Sequence, residues 1–134
     1  MKKMHFKEKY LIETTKISKN NSKYGSIDEI ITYLKNRIDE HPVATFIATF
    51  DHYAHTSSLP EHKIAEDIVD AKNIIFCFGK EIGVPIVVGV RPRSIGIVDL
   101  GDSFVLSFME APNPVANDTM TEWILGIKKT IKHL

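Results

Sequence analysis

Three histidines and the only cysteine fall within one short stretch of this 134-residue chain: His52, His55, His62 and Cys77. Imidazole nitrogen and thiolate sulfur bind zinc, iron or copper, so the cofactor this region admits is a transition metal, or a haem iron. The donors must then close to roughly 2.0 to 2.3 Å of one ion. On a continuous strand His52 and His55, three apart, would face opposite sides. They converge only if the chain turns or begins a helix after Asp51. His62 is expected in the first turn of a following helix and Cys77 on the strand after it, completing a candidate metal set of His52, His55, His62 and Cys77.

The same residues can be arranged for catalysis. His52 or His55 would serve as general base oriented by Asp51, with Cys77 or Ser57 as nucleophile, which requires hydrogen-bond reach and an oxyanion site. Each also has an ordinary role, the histidines in a loop and Cys77 as a small buried hydrophobe. A second locus is Arg91 and Arg93, which flank Pro92. In an extended segment they project to one side, toward a carboxylate or phosphate, or else toward a solvated strand-end or subunit salt bridge. The candidate ligand-binding residues are therefore Asp51, His52, His55, Arg91 and Arg93. Phosphate-loop chemistry is disfavoured at Gly79-Lys80, because Ile74 stands where the upstream glycine is needed and Glu81 where Ser or Thr would meet magnesium. Zinc-protease and paired-cysteine zinc signatures are absent from the sequence.

The elements that must position these groups can be read from periodicity. Phe6 to Ile17 reads as a half-exposed strand with interspersed lysines, and Asn20, Asn21, Ser22 and Gly25 signal a turn. Ser26 and Glu29 form a capping box ahead of Ile27, Ile30, Ile31, Leu34 and Ile38 on one helical face. Pro42 stops that helix near His41. Val43 to Phe50 is a strand whose Ala44, Phe46, Ala48 and Phe50 face is expected in the core. Ser58 and Glu61 suggest a second capped start, before Ile64, Ala65, Ile68 and Val69 on a short helix. Asn73 to Phe78 reads as a buried strand ended by Gly79. Ser94 to Asp99 and Ser103 to Met109 form a hairpin around Leu100-Gly101-Asp102. The last helix starts with Asn113 as cap and Pro114 at its first position. Its apolar face carries Met120, Trp123, Ile124, Ile127 and Ile131, and Lys128, Lys129 and Lys132 complement its dipole.

Length and a hydrophobic fraction of 43% fit one domain, residues 1–134, able to fold without a disulfide or structural metal. The lone cysteine excludes an internal disulfide and fits a reducing compartment. The start carries no apolar signal segment and no stretch approaches the roughly 20 apolar residues of a membrane span, so the expected location is cytoplasmic. Seventeen basic and seventeen acidic residues cancel, giving no argument for nucleic acid or membrane partners. The seven lysines in residues 1–24 read as a solvated edge strand rather than a nucleic-acid arm.

The order of Ser26 to Glu40, Val43 to Phe50, Ile64 to Phe78 with Gly79, and the hairpin Ile95 to Pro112 resembles a bacterial family of unknown function, the DUF302-type domains. That resemblance covers roughly Gly25 to Pro112. It implies a small α+β domain, often self-associating, and no established reaction; the long final helix departs from that pattern.

The expected architecture is α+β, a mixed or antiparallel sheet with helices packed mainly on one face. The other face then needs a cover, which a second copy would supply, with Ile86, Val87 and Val88 contributing. The expected function is a homodimeric module for binding a small-molecule ligand, in a pocket near Asp51 to His62, or for assembly. The alternative is a metal-dependent or cysteine-based enzyme built on His52, His55, His62 and Cys77.

Overall fold

Ser26 caps the first long helix as its residue type dictates, its hydroxyl accepting from the Glu29 amide at 3.2 Å while the Glu29 carboxylate accepts from the Gly25 amide. A computed structural model describes residues 1–129 and gives this helix, α1, the bounds Ile27–Glu40. Ile27, Ile30, Leu34 and Ile38 are buried along one face, and His41 follows as the C-terminal cap. The strands are β1 (Lys2–Phe6), β2 (Tyr10–Ser18), β3 (Ala44–Phe50), β4 (Asp70–Phe78), β5 (Arg93–Asp99) and β6 (Ser103–Met109). Two further helices are α2 (His52–Ser57) and α3 (Pro114–Leu125).

The strands form one six-stranded sheet in the order β1-β2-β6-β5-β4-β3, antiparallel at every pairing. The fold is α+β, as the sequence implies. Alternation sends Ile17, Ile74, Phe76, Ile95, Ile97 and Leu106 to one face, where α1 and α3 cover them. The β5–β6 hairpin turns at Gly101, with φ of 92°. Asn113 caps α3 with Pro114 behind it.

Four expectations are corrected. The first strand is a hairpin, β1 and β2, because Lys7 and Glu8 take left-handed backbone conformations at φ of 52° and 61° and reverse the chain without a glycine. Residues 58–69 form no helix: Asp51 caps α2 instead, and Glu61, the partner expected in a capping box, sits at φ of 57°. A register shift between Phe46 and Ala48 turns Phe50 away from the core, opposite Asn73. Finally, α3 ends at Leu125, so Lys128 and Lys129 lie beyond it and its last turn holds no basic residue. Ile127 is nevertheless buried, while Ile131 and Lys132 lie outside the described residues.

Among the described residues no helix is long and apolar enough to cross a membrane. The second sheet face is partly open. Asn73 alternates with buried Ile74 and therefore points away from α1, toward α2, so α2 packs on the face opposite the two long helices. Met4, Phe6, Tyr10 and Met109 remain exposed.

Candidate functional site

A helix does begin after Asp51, and it sets the histidine geometry. The Asp51 carboxylate accepts from the Ala54 amide at 3.0 Å, so it caps α2. His52 Nδ1 lies 2.8 Å from Asn73 Oδ1, and the Asn73 amide nitrogen donates to Ser94 Oγ at 3.0 Å. With that nitrogen engaged as donor, the Asn73 oxygen accepts, so His52 carries a proton on Nδ1. The His52 and His55 rings both pack on Phe50, at centroid distances of 5.3 and 5.5 Å.

His62 and Cys77 stand apart from that pair. His62 lies in the loop after α2, its Nδ1 donating to the Leu59 carbonyl at 2.9 Å. Cys77 shares a β4 face with Asn73 but sits four residues along, about 13 Å at the rise of a strand. Its thiol donates to the Phe78 carbonyl, and the Ser57 hydroxyl donates to the Tyr53 carbonyl within its own helix. Among the described residues no three His, Cys, Asp or Glu side chains form a group that could hold a metal ion.

Arg91 and Arg93 both line a cavity of ≈ 200 Å³ toward the opposite end of β4. Its walls are largely apolar, with Val43, Phe78, Val87 and Val90 on one side and Pro112, Val115 and Ala116 at the start of α3 on the other. Gly79 has φ of 113°, and a Cβ there would come within 2.7 Å of Arg91 Nη2; the guanidinium lies directly on its backbone. Arg91 Nη1 donates to the Glu81 carbonyl at 2.7 Å. Arg93 donates to the Val90 carbonyl at 3.2 Å and to the Met109 carbonyl, and its buried Nε has no partner. Burial pulls the Arg93 guanidinium below its ordinary pKa, though it remains a cation at any working pH. Neither arginine pairs with a carboxylate among the described residues. Backbone carbonyls hold both side chains in place while leaving two positive charges uncompensated.

His41 completes the cavity. Its Nδ1 accepts from the Val43 amide at 3.2 Å, so the neutral ring carries its proton on Nε2. Its ring lies edge-on to Phe78 at 5.4 Å and to Trp123 at 5.9 Å, and Phe78 stacks on Trp123 at 5.4 Å. Asn117, buried in α3, fixes the far wall: its side chain accepts from the Ala111 amide at 2.7 Å and donates to the Ala111 carbonyl at 2.9 Å.

Over residues 1–129 the chain matches the Family of unknown function (DUF6858). It belongs to that family. No curated protein and no solved structure matches it. The match therefore assigns a family of unknown function, as element order implies, without naming the DUF302-type domains.

For this DUF6858 chain, sequence spacing singled out Arg91 and Arg93 but missed His41, Gly79 and Asn117. Pro42 marks His41 as a helix stop, and Gly79 reads as a strand end; neither signal says that both residues border one cavity. Asn117 carries no local signal, because its work is to hold a segment six residues upstream.

Proposed function

We propose that this DUF6858 protein is a small-ligand-binding module whose ligand is a small organic anion held by Arg91 and Arg93. The observation that carries this reading is the pairing of two guanidinium groups, without acidic partners among the described residues, at the rim of one apolar cavity. A half-buried cation without a counterion is costly, and a bound anion relieves that cost through charge-assisted hydrogen bonds. Arg93 Nε is buried without a hydrogen-bond partner, so the protein itself does not spread its charge through that atom. The start of α3 adds favourable partial positive charge at the same wall. The His52 region offers an imidazole held in place, but His52, Asn73 and Ser94 already satisfy one another.

Thermal denaturation across a panel of small organic anions at fixed ionic strength tests this. At least one anion at about 100 times its Kd should raise Tm by about 5 °C or more. The Arg91→Gln/Arg93→Met double variant should not respond. A panel without effect on the wild type, or an equal response from the double variant, contradicts the reading.

A second reading, self-association, rests on the exposed Met4, Phe6, Tyr10 and Met109 of the face opposite α1 and α3. Ile86 and Val88, in the 3-10 helix Pro85–Val90 before β5, are also exposed, Ile86 at 83%. Sedimentation over a concentration series should give a dimer at micromolar protein, weakened by Met4→Asp. A persistent monomer contradicts it.

A further inference from the structure

We infer that the anion is a carboxylate carried on a single ring-sized apolar body, an aryl or cycloalkyl monocarboxylate. This rests on the anion-pocket reading above and deepens it from charge to substrate class. The first argument is size. An apolar cavity of about 150 Å³ accommodates one benzene molecule, and the cavity beside Arg93 is ≈ 200 Å³. One ring with a carboxylate matches that volume.

The second argument is the division of the lining. Donors stand at the arginine side, whereas Val43, Phe78, Val87, Val115 and Ala116 present carbon. A planar carboxylate uses two in-plane N–H groups and then has no further oxygen to satisfy. A phosphate carries additional charged oxygens that would face those apolar walls, each at a desolvation cost. The third argument is the aromatic wall. Phe78 is held by Trp123 at 5.4 Å and by His41 at 5.4 Å, a preorganised surface for a flat ring. Trp123 is the only tryptophan, and it touches the ring that lines the cavity, so its fluorescence reports occupancy.

The test is equilibrium dialysis of the full chain with four probes, namely benzoate, acetate, inorganic phosphate and benzyl alcohol, each with parallel Trp123 fluorescence. Benzoate should bind at one per chain and change the emission. Burial of its ring should make it about 30-fold tighter than acetate. Loss of charge should leave benzyl alcohol at least about tenfold weaker, and phosphate should be weaker than benzoate. Phosphate or acetate binding as tightly as benzoate overturns the ring-carboxylate class while the anion reading stands. Benzyl alcohol binding as tightly as benzoate, or no binding by any probe, overturns both. Benzoate binding without change in Trp123 emission puts the site elsewhere and also overturns both. Arg93→Met should abolish benzoate binding. Should that variant not fold, Val87→Phe, which fills the cavity from the 3-10 helix without removing a charge, should abolish it equally; retained binding in Val87→Phe contradicts the assignment.

Discussion

Strand β4 carries a candidate site near each end, and the two are built on opposite principles. Near Asn73, the side chains of His52, Asn73 and Ser94 satisfy each other in a hydrogen-bonded series on the open face of the sheet. Near Phe78, Arg91 and Arg93 are fixed by the carbonyls of Glu81, Val90 and Met109, which orient cations without neutralising them. Clustering of reactive residue types is thus a poorer guide than the balance of charge. The histidine region is richer in metal-capable atoms, yet the arginine end is the one that lacks a partner.

The contrast can be broken by mutation. The largest effect should come from the aromatic support of the cavity. Trp123→Ala removes a side chain only 2% exposed, packed on Phe76, Phe78 and His41, and should cost about 3–5 kcal/mol in urea unfolding. Phe50→Ala at the histidine end removes a ring that is 37% exposed and should cost about 1 kcal/mol. Similar losses from the two would erase the claimed difference between a built wall and an open surface.

Gly79→Ala comes next. It combines a left-handed backbone with displacement of the Arg91 guanidinium, so it should destabilise by about 2 kcal/mol and weaken anion binding together. Gly101→Ala is the control, with φ of 92° but only an ordinary contact with Val69; about 1 kcal/mol is expected, with binding unchanged. Asn73→Leu should cost about 1 kcal/mol through its lost hydrogen bonds and leave anion affinity at the other end of β4 unaltered. A parallel loss of affinity would mean that the ends are coupled.

The smallest effect tests an electrostatic pair outside both sites. Lys72 donates to Asp28 at 2.7 Å, and that hydrogen bond raises its pKa above the usual lysine value. A raised folded pKa stabilises while the lysine is charged, so the contribution is full below the ordinary lysine range and fades as pH rises through the folded value. Lys72→Met should cost about 0.5 kcal/mol at neutral pH, a difference that shrinks in strongly alkaline buffer. A constant difference across that range would count against the pair.

Much of this arrangement is legible wherever local chemistry decides. Ser26 and Glu29 mark the start of α1, Asn113 and Pro114 the start of α3, and Gly101 the β5–β6 turn. The failures share a cause, since backbone choices there run against residue type. Lys7 and Glu8 take positive φ without being glycine, which hid one hairpin, and Glu61 does the same where Ser58 and Glu61 read as a capped helix start. One bulged residue between Phe46 and Ala48 reversed the face of Phe50, because strand alternation admits no insertion. At the cavity, the two-residue spacing of Arg91 and Arg93 was informative, but packing of α1, β4 and α3 brought His41, Phe78 and Ala116 to them. No local pattern encodes that convergence.

The most direct test of the arginine end is nuclear magnetic resonance of the arginine side-chain Nε–H groups during titration with benzoate. The Arg91 and Arg93 side-chain N–H signals should shift as the guanidinium groups gain a carboxylate partner, while His52 and His55 ring signals stay fixed. Saturating benzoate that leaves Arg93 unmoved, or that shifts the histidines instead, would contradict the assignment of the anion to Arg91 and Arg93.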